Sequence, residues 1–436
     1  MKKKGISGGS ASRQIVSSLL CILGGVLIGF IALILMAAFT ENISFAEAFK
    51  GIRIIMGGPF TSGKNTLFQL GNMLFNSTPL IFTGLSVAIA FKTGLFNIGA
   101  PGQYLMGAMT SLLVALSIPS STVPPAVIWI LALIAGAVAG GLWGAIPGVF
   151  KAMLNVNEVI VCIMSNWIAA NVVSWVFKDS RFINYAETKV NFIVKTKTNN
   201  ISTPTLGMDS FFSGGSVKSY VDIGIFIAIL VAILLYIMMN KTTFGYELKA
   251  CGFNKNASKY AGMNEKRNII LSMAIAGALA GAGAALWCIN GNQDFKWDTY
   301  QTLPADGFNG IVAALLAANN PIGVIFSALF LKYINVSGAN LAANTAFNEY
   351  VSQLIIAMIV YFSGFAKYIT TMLGSKKSMD IPKIPDKAYT KAPDKSGGGE
   401  EPPVDDSVRE AVEEAVTEAV TETETVAEAV TEAVAE

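Results

Sequence analysis

The sequence predicts an all-α fold: a polytopic transmembrane helix bundle of eight clear spans plus a broken-helix pair, nominally ten crossings. Three observations carry this. Apolar residues fill 53% of the 436 positions and charged residues only 14%, against roughly 25% charge in a soluble domain. A chain with so little polar surface needs lipid as its solvent. The apolar residues also fall in stretches of about 20, the length of a membrane-crossing helix. Finally, the basic residues lie between those stretches and not on one soluble face, which argues against nucleic acid as a partner.

The first apolar run covers residues 15–40. It is too long for a signal peptide and lacks a small-residue cleavage site, so a retained helix is expected. Further spans are read at 68–91, 94–118, 125–150, 158–177, 223–239, 269–289 and 350–373. Between the last two lie shorter pieces, 303–318 and 321–336, split by Asn319, Asn320 and Pro321. Such breaks are tolerated in a bilayer only where they face protein or a water-filled path.

Lys and Arg set the orientation. Lys2, Lys3, Lys4 and Arg13 place the N-terminus in the cytoplasm. Alternation then puts the 241–268 loop and Lys376-Lys377 inside and the long 178–222 loop outside. The 241–268 loop holds Lys241, Lys249, Lys255, Lys259, Lys266 and Arg267 against Glu247 and Glu265. The expected organisation is a cytoplasmic segment at 1–14, a transmembrane domain at 15–375 and a cytoplasmic tail at 376–436, in the cell membrane. The formal net charge of +2 hides a strongly acidic tail of alternating Glu with Ala and Val. Val412, Val416 and Val420 recur every fourth residue, but without bulk to build a core the tail reads as disordered and dispensable for transport.

Chemistry-bearing residues are few. There is no His, and Cys21, Cys162, Cys251 and Cys288 make no CxxC pair, so neither a metal site nor a disulfide is expected. Gly58 to Asn65 nearly spells the phosphate-cradling loop GxxxxGK[ST]. Asn65 stands where the metal-binding hydroxyl belongs and no buried strand precedes it, so the match reads as chance. Gly136, Gly140, Gly144 and Gly148 form a ridge without side chains, as do Gly277 and Gly281, suited to close helix packing. Polar residues inside spans are candidates for a solute path: Asn97, Gln103, Glu158, Asn166, Asn309, Asn319 and Asn320. Each has a plainer reading as hydrogen-bonded glue or a helix cap.

The 241–268 loop reads as two short helices. The first is expected to stop at Gly252, and the second to be capped by Asn254 and stopped by Gly262. Its basic, amphipathic character suits either anionic lipid or a groove on a cytosolic partner.

Four segments resemble the permeases of the branched-chain amino acid, ribose and nucleoside branch of ABC importers, closest to the nucleoside or simple-sugar group. They are GLFNIGAPGQYLMGA (94–108), NEVIVCIMSNWIA (157–169), FGYELKACGFNKNASKYAGMN (244–264) and GFNGIVAALLAANNPIGV (307–324). Pro101 departs from the pattern, in which an acidic residue is common. The resemblance implies a non-enzymatic permease subunit without a cofactor of its own, ATP being bound by a partner. It implies a cytosolic ATPase, a second permease that is a different chain, and an extracellular substrate-binding protein, often a lipoprotein. The ATPase-coupling loop would include Gly245, Glu247, Ala250, Gly252, Ala261 and Gly262. The alternative class is a secondary transporter or channel. Such carriers use buried carboxylates or His in mid-span, and the sequence offers no His and only Glu158 at a span's head. No nucleophile–base pair suggests an enzyme.

Overall fold

The computed structural model describes residues 8–39, 43–185, 191–215, 217–299, 302–365 and 368–369; the acidic tail falls outside them. Among the described residues the chain forms fourteen helices and one short strand pair, an all-α bundle. The helices are α1 (Gly8–Phe39), α2 (Phe45–Gly57), α3 (Thr66–Lys92), α4 (Ala100–Ser117), α5 (Pro125–Leu154), α6 (Glu158–Phe177), α7 (Met208–Phe211), α8 (Gly224–Lys241), α9 (Thr243–Phe253), α10 (Lys255–Tyr260), α11 (Glu265–Cys288), α12 (Ala305–Leu316), α13 (Pro321–Asn344) and α14 (Tyr350–Gly364). Seven of them, α1, α3, α5, α6, α8, α11 and α13, are long and apolar enough to cross a membrane.

Three expectations are corrected. The third span begins at Ala100, not at residue 94, because residues 93–99 stay non-helical. Gly94 there takes φ +73°, a conformation that ends a helix and costs glycine nothing. The broken pair is unequal: α12 is a half-length helix, whereas α13 runs on to Asn344 as a full span. The break itself lies where expected. Ala318 and Asn319 take φ +49° and +57°, and the Asn320 side chain accepts from the Ile322 amide at 3.0 Å. Helix α2 was not expected. It buries Ala48, Gly51, Ile54 and Ile55, a three-to-four spacing too short to register in a search for 20-residue runs.

The core is built from two inverted triplets. Thr93 meets Ser272 while Phe82 meets Gly283, so α3 and α11 are antiparallel. Gln69 meets Asn340 while Gly84 meets Val324, so α3 and α13 are antiparallel as well. Helices α3–α4–α5 therefore run in the opposite sense to α11–α12–α13, as in an inverted repeat. Gly107 of α4 lies on Gly281 of α11, and Gly310 of α12 lies on Thr83 of α3. The first turns of α4 and α12 touch: a Cβ on Gly307 would fall 2.5 Å from the Cα of Pro101.

The glycine ridges do what their spacing predicts. Gly136, Gly140, Gly144 and Gly148 of α5 lie directly on the α11 backbone around Gly277 and Gly281. A Cβ at Gly144 would sit 2.5 Å from the Met273 carbonyl oxygen, and one at Gly140 would sit 2.8 Å from the Gly281 Cα. Backbone touches backbone here, so dispersion contacts hold the helices together where lipid supplies no hydrophobic force.

At the end of the bundle opposite the 241–268 loop, the 178–222 segment is tied down by polar contacts. Asn199 donates to the Ala115 and Ile118 carbonyls at 2.7 and 2.8 Å. Asn290 donates to Asp222 at 2.5 Å and to the Tyr220 carbonyl at 3.0 Å. Strands β1 (Phe192–Ile193) and β2 (Phe295–Lys296) pair antiparallel across the same cap.

Candidate functional site

The 241–268 loop folds as a knob. Thr242 caps α9 by accepting from the Gly245 amide at 3.1 Å, and Asn254 caps α10 through the Ala257 amide at 3.0 Å, as its sequence position implies. Gly262 takes φ +79°, the expected stop. Gly252 is not one: α9 continues through it to Phe253. Its missing side chain serves contact instead. A Cβ there would lie 2.7 Å from the Lys92 carbonyl oxygen, 2.8 Å from the Thr93 carbonyl carbon and 2.9 Å from the Gly94 nitrogen. Gly245 is likewise pressed on the backbone of Met238 and Met239. Leu248 and Cys251 are buried beneath α9, and Asn268 of α11 donates to Glu247 at 3.1 Å. Ala250 is half-buried, while Ala261 and Gly262 are exposed. The knob is thus anchored to the ends of α3, α8 and α11. Its free surface carries Phe253 and Tyr260, 91% and 94% exposed. Two aromatic side chains this bare, on a knob otherwise packed against the bundle, make this surface the candidate for a contact with another molecule.

The polar path candidates separate into groups. Asn97, Gln103 and Asn166 are fully buried and come together below the first turn of α4. Asn97 donates to Ser86 at 3.0 Å and to Gln103 at 2.8 Å, and accepts from the Gly99 amide at 3.1 Å. Asn166 accepts from the Gly102 amide at 2.9 Å and donates to the Ile98 carbonyl at 3.0 Å. Asn97 and Asn166 bond to the non-helical 93–99 backbone at Gly99 and Ile98, and Gln103 holds the Asn97 side chain in place, inside the bundle where water is scarce. Glu158 pairs with Lys151 at 2.9 Å across the α5–α6 corner. Asn319 and Asn320 line a cavity of about 180 Å³ at the knob end, beside Lys92 and Lys249.

Asn309 faces a much larger space. A cavity of about 920 Å³ lies among α4, α11, α12, α13 and α14, lined by Tyr104, Trp287, Asp306, Asn309, Lys332 and Asn335 among others. The sequence reading missed its charges. Lys332 Nζ meets Asp306 Oδ1 at 2.6 Å, with side chains 12% and 24% exposed. The Asp306 carbonyl accepts from Thr83 at 2.9 Å; Thr83 lies nine residues above Lys92, about 14 Å at the helical rise, or half the thickness of a bilayer core. Glu158 is therefore not the only carboxylate inside a span. A charge at this depth normally marks a solute path, and Lys332, a basic residue within an apolar run, was the signal available in the sequence.

Helix α6 presents an unpartnered stripe. Ile160, Ile163, Met164, Trp167, Ile168 and Trp175 recur at spacings of three and four, all exposed, along a shallow groove of about 660 Å³. The near-match to a phosphate loop, Gly58–Asn65, forms a 3-10 turn that leads into α3. All four cysteines are free and buried.

A family model described as "Branched-chain amino acid transport system / permease component" matches residues 69–363. The guanosine ABC transporter permease protein NupP of Bacillus subtilis is 35% identical over 75% of this chain and 92% of its own. The nucleoside ABC transporter permease protein NupB of Lactococcus lactis is 34% identical over 87% of this chain and 99% of its own. A guanosine ABC transporter permease protein NupQ of Bacillus subtilis is 26% identical over 60% of this chain and 78% of its own. No solved structure gives a significant match. The matched stretch runs from α3 to α14 and takes in the knob, the cavity and the glycine seam. The chain is a multi-pass membrane protein belonging to the branched-chain amino acid transport system permease component family.

Proposed function

We propose that this chain is the permease subunit of an ABC importer, forming with a second, different permease chain the path for a nucleoside. Import is driven by a cytosolic ATPase that binds the ATP, and solute is delivered by an extracellular binding lipoprotein. The observation that carries the coupling role is the knob: two capped helices locked to three spans, with Phe253 and Tyr260 bare at the surface. A rigid contact passes movement on, whereas a loose one dissipates it. The nucleoside assignment draws support from NupP and NupB, a guanosine and a nucleoside ABC transporter permease protein. That two such permeases of Bacillus subtilis, NupP and NupQ, both match favours a paired core, and the α6 stripe is the surface suited to the pairing. On this reading the knob end, both termini and the acidic tail are cytoplasmic, in keeping with the Lys and Arg distribution. The path is assigned to the cavity at Asn309, with Asn319 and Asn320 near its cytoplasmic exit and Asn97, Gln103, Asn166 and Glu158 positioning its walls.

The test is co-purification with the ATPase together with uptake of radiolabelled guanosine. The double variant Phe253→Ala/Tyr260→Ala is expected to insert normally, lose the ATPase on purification and lose uptake. Guanosine flux through the chain in vesicles free of ATP would overturn the proposal in favour of a secondary transporter or channel.

A further inference from the structure

The cavity, which runs from the cap at Phe295 and Lys296 down to Asp306 and Asn309, is more specific than a passage requires. Its volume of about 920 Å³ falls within the range of small-molecule sites. Its wall divides into two kinds of surface: the rings of Tyr104 and Trp287, and the polar groups of Asp306, Lys332, Asn309 and Asn335. The charged pair is the costly part. Two charged groups partly buried inside a helix bundle give no stability that an apolar pair would not give, and this pair borders a void where a structural bridge would be packed tight.

We propose that this cavity is a binding site for the translocating nucleoside, with the Asp306 carboxylate as the group that reads the ribose diol; the assignment rests on the nucleoside reading above. An ionised carboxylate only accepts, and it offers about four lone-pair directions. Lys332 occupies one at 2.6 Å. The vicinal hydroxyls of a ribose, which donate side by side, complete the others, the same chemistry by which an acidic residue holds the ribose of a dinucleotide. The aromatic faces suit the base, because every base has a π surface to stack. The amides of Asn309 and Asn335 offer both donors and acceptors to its edge. A phosphate-bearing ligand is disfavoured, since the carboxylates of Asp294, Asp306 and Glu349 outnumber Lys332 and Lys296 on the same wall.

The experiment uses the full importer complex in proteoliposomes, with uptake of guanosine and of 2′,3′-dideoxyguanosine measured at saturating binding protein. Asp306→Asn is expected to raise the KM for guanosine at least tenfold while leaving dideoxyguanosine within twofold of the parent. Asp306→Glu keeps the charge beside Lys332 and secures assembly; a several-fold rise for guanosine alone is expected. The ratio between the two solutes is the readout, because a merely structural role would move both alike. If the parent complex imports guanosine and both variants leave that ratio unchanged, the site assignment falls while the nucleoside reading stands. If the parent imports neither solute, the nucleoside reading fails, and this assignment with it.

Discussion

Adding a single methyl group at Gly252 tests the anchoring of the knob. The nearest ordinary contact for a Cβ is 3.4 Å, yet the Lys92 carbonyl oxygen, the Thr93 carbonyl carbon and the Gly94 nitrogen stand at 2.7, 2.8 and 2.9 Å from its position. Gly252→Ala is therefore too close by 0.7 Å to the first and by 0.5 Å to the last. All three are backbone atoms, fixed by the end of α3, so no side chain can turn away. Overpacking of this kind costs about 1–3 kcal/mol, which the fold can relieve by lifting α9. If the docked knob is the coupled state, its population falls about 5- to 150-fold. The assay is substrate-stimulated ATP hydrolysis and uptake in reconstituted complex, with membrane insertion as control. Both activities are expected to fall together in Gly252→Ala and further in Gly252→Leu. Gly262→Ala is the comparison, because it has open space around it and suffers only the strain of φ +79°, about 1–2 kcal/mol. Parental hydrolysis and uptake in both Gly252 variants would refute the reasoning.

Two further outcomes follow from the packing and the outer cap. Gly140→Leu drives a side chain into the α11 backbone at Gly277 and Gly281; it is expected to lower the yield of folded, detergent-stable protein several-fold, read by size-exclusion chromatography, with Gly364→Leu, in open space, close to the parent. Burial pushes the Asp222 carboxyl up to about 6 from its ordinary 3.8, against the hydrogen bonds from Asn290 and the Gly224 amide. A folded-state pKa above the unfolded one means that the native protein holds the proton more tightly, so stability is highest below pH ~4, falls as pH rises from about 4 to 6, and is level above that. The fall is on the order of 1–3 kcal/mol, and Asp222→Asn is expected to flatten it in thermal unfolding scans.

Legibility varied with how local the signal was. Asn254 and Gly262 were readable because a cap and a left-handed stop depend on a few neighbouring residues. The α5 ridge was readable because four glycines at intervals of four imply one bare face wherever the partner lies. Gly252 was misread for the complementary reason: its role is set by Lys92 to Gly94, about 160 residues earlier in the chain. The same holds for Asp306 and Lys332, each isolated in an apolar run and joined only once α12 folds back along α13. Asn97, Gln103 and Asn166 were picked out correctly as buried polar residues. That Asn97 pairs with Gln103, and that Asn166 bonds to the Gly102 amide and the Ile98 carbonyl, depends on α3, α4 and α6 converging, which no spacing along the chain encodes.

The seam between α5 and α11 also limits how this protein can move. A contact made of side chains can slip, because rotamers change and knobs find neighbouring holes. A contact of backbone on backbone, as between Gly144 and Met273, has no such freedom and either holds or separates. The seam is then expected to act as a stator, with α5 and α11 moving as one body through a transport cycle. Displacement is then expected where backbones do not touch, around the cavity bordered by α12 and α14 and at the exposed stripe of α6. A crosslink across the seam would be silent, and one across the cavity would stop the cycle.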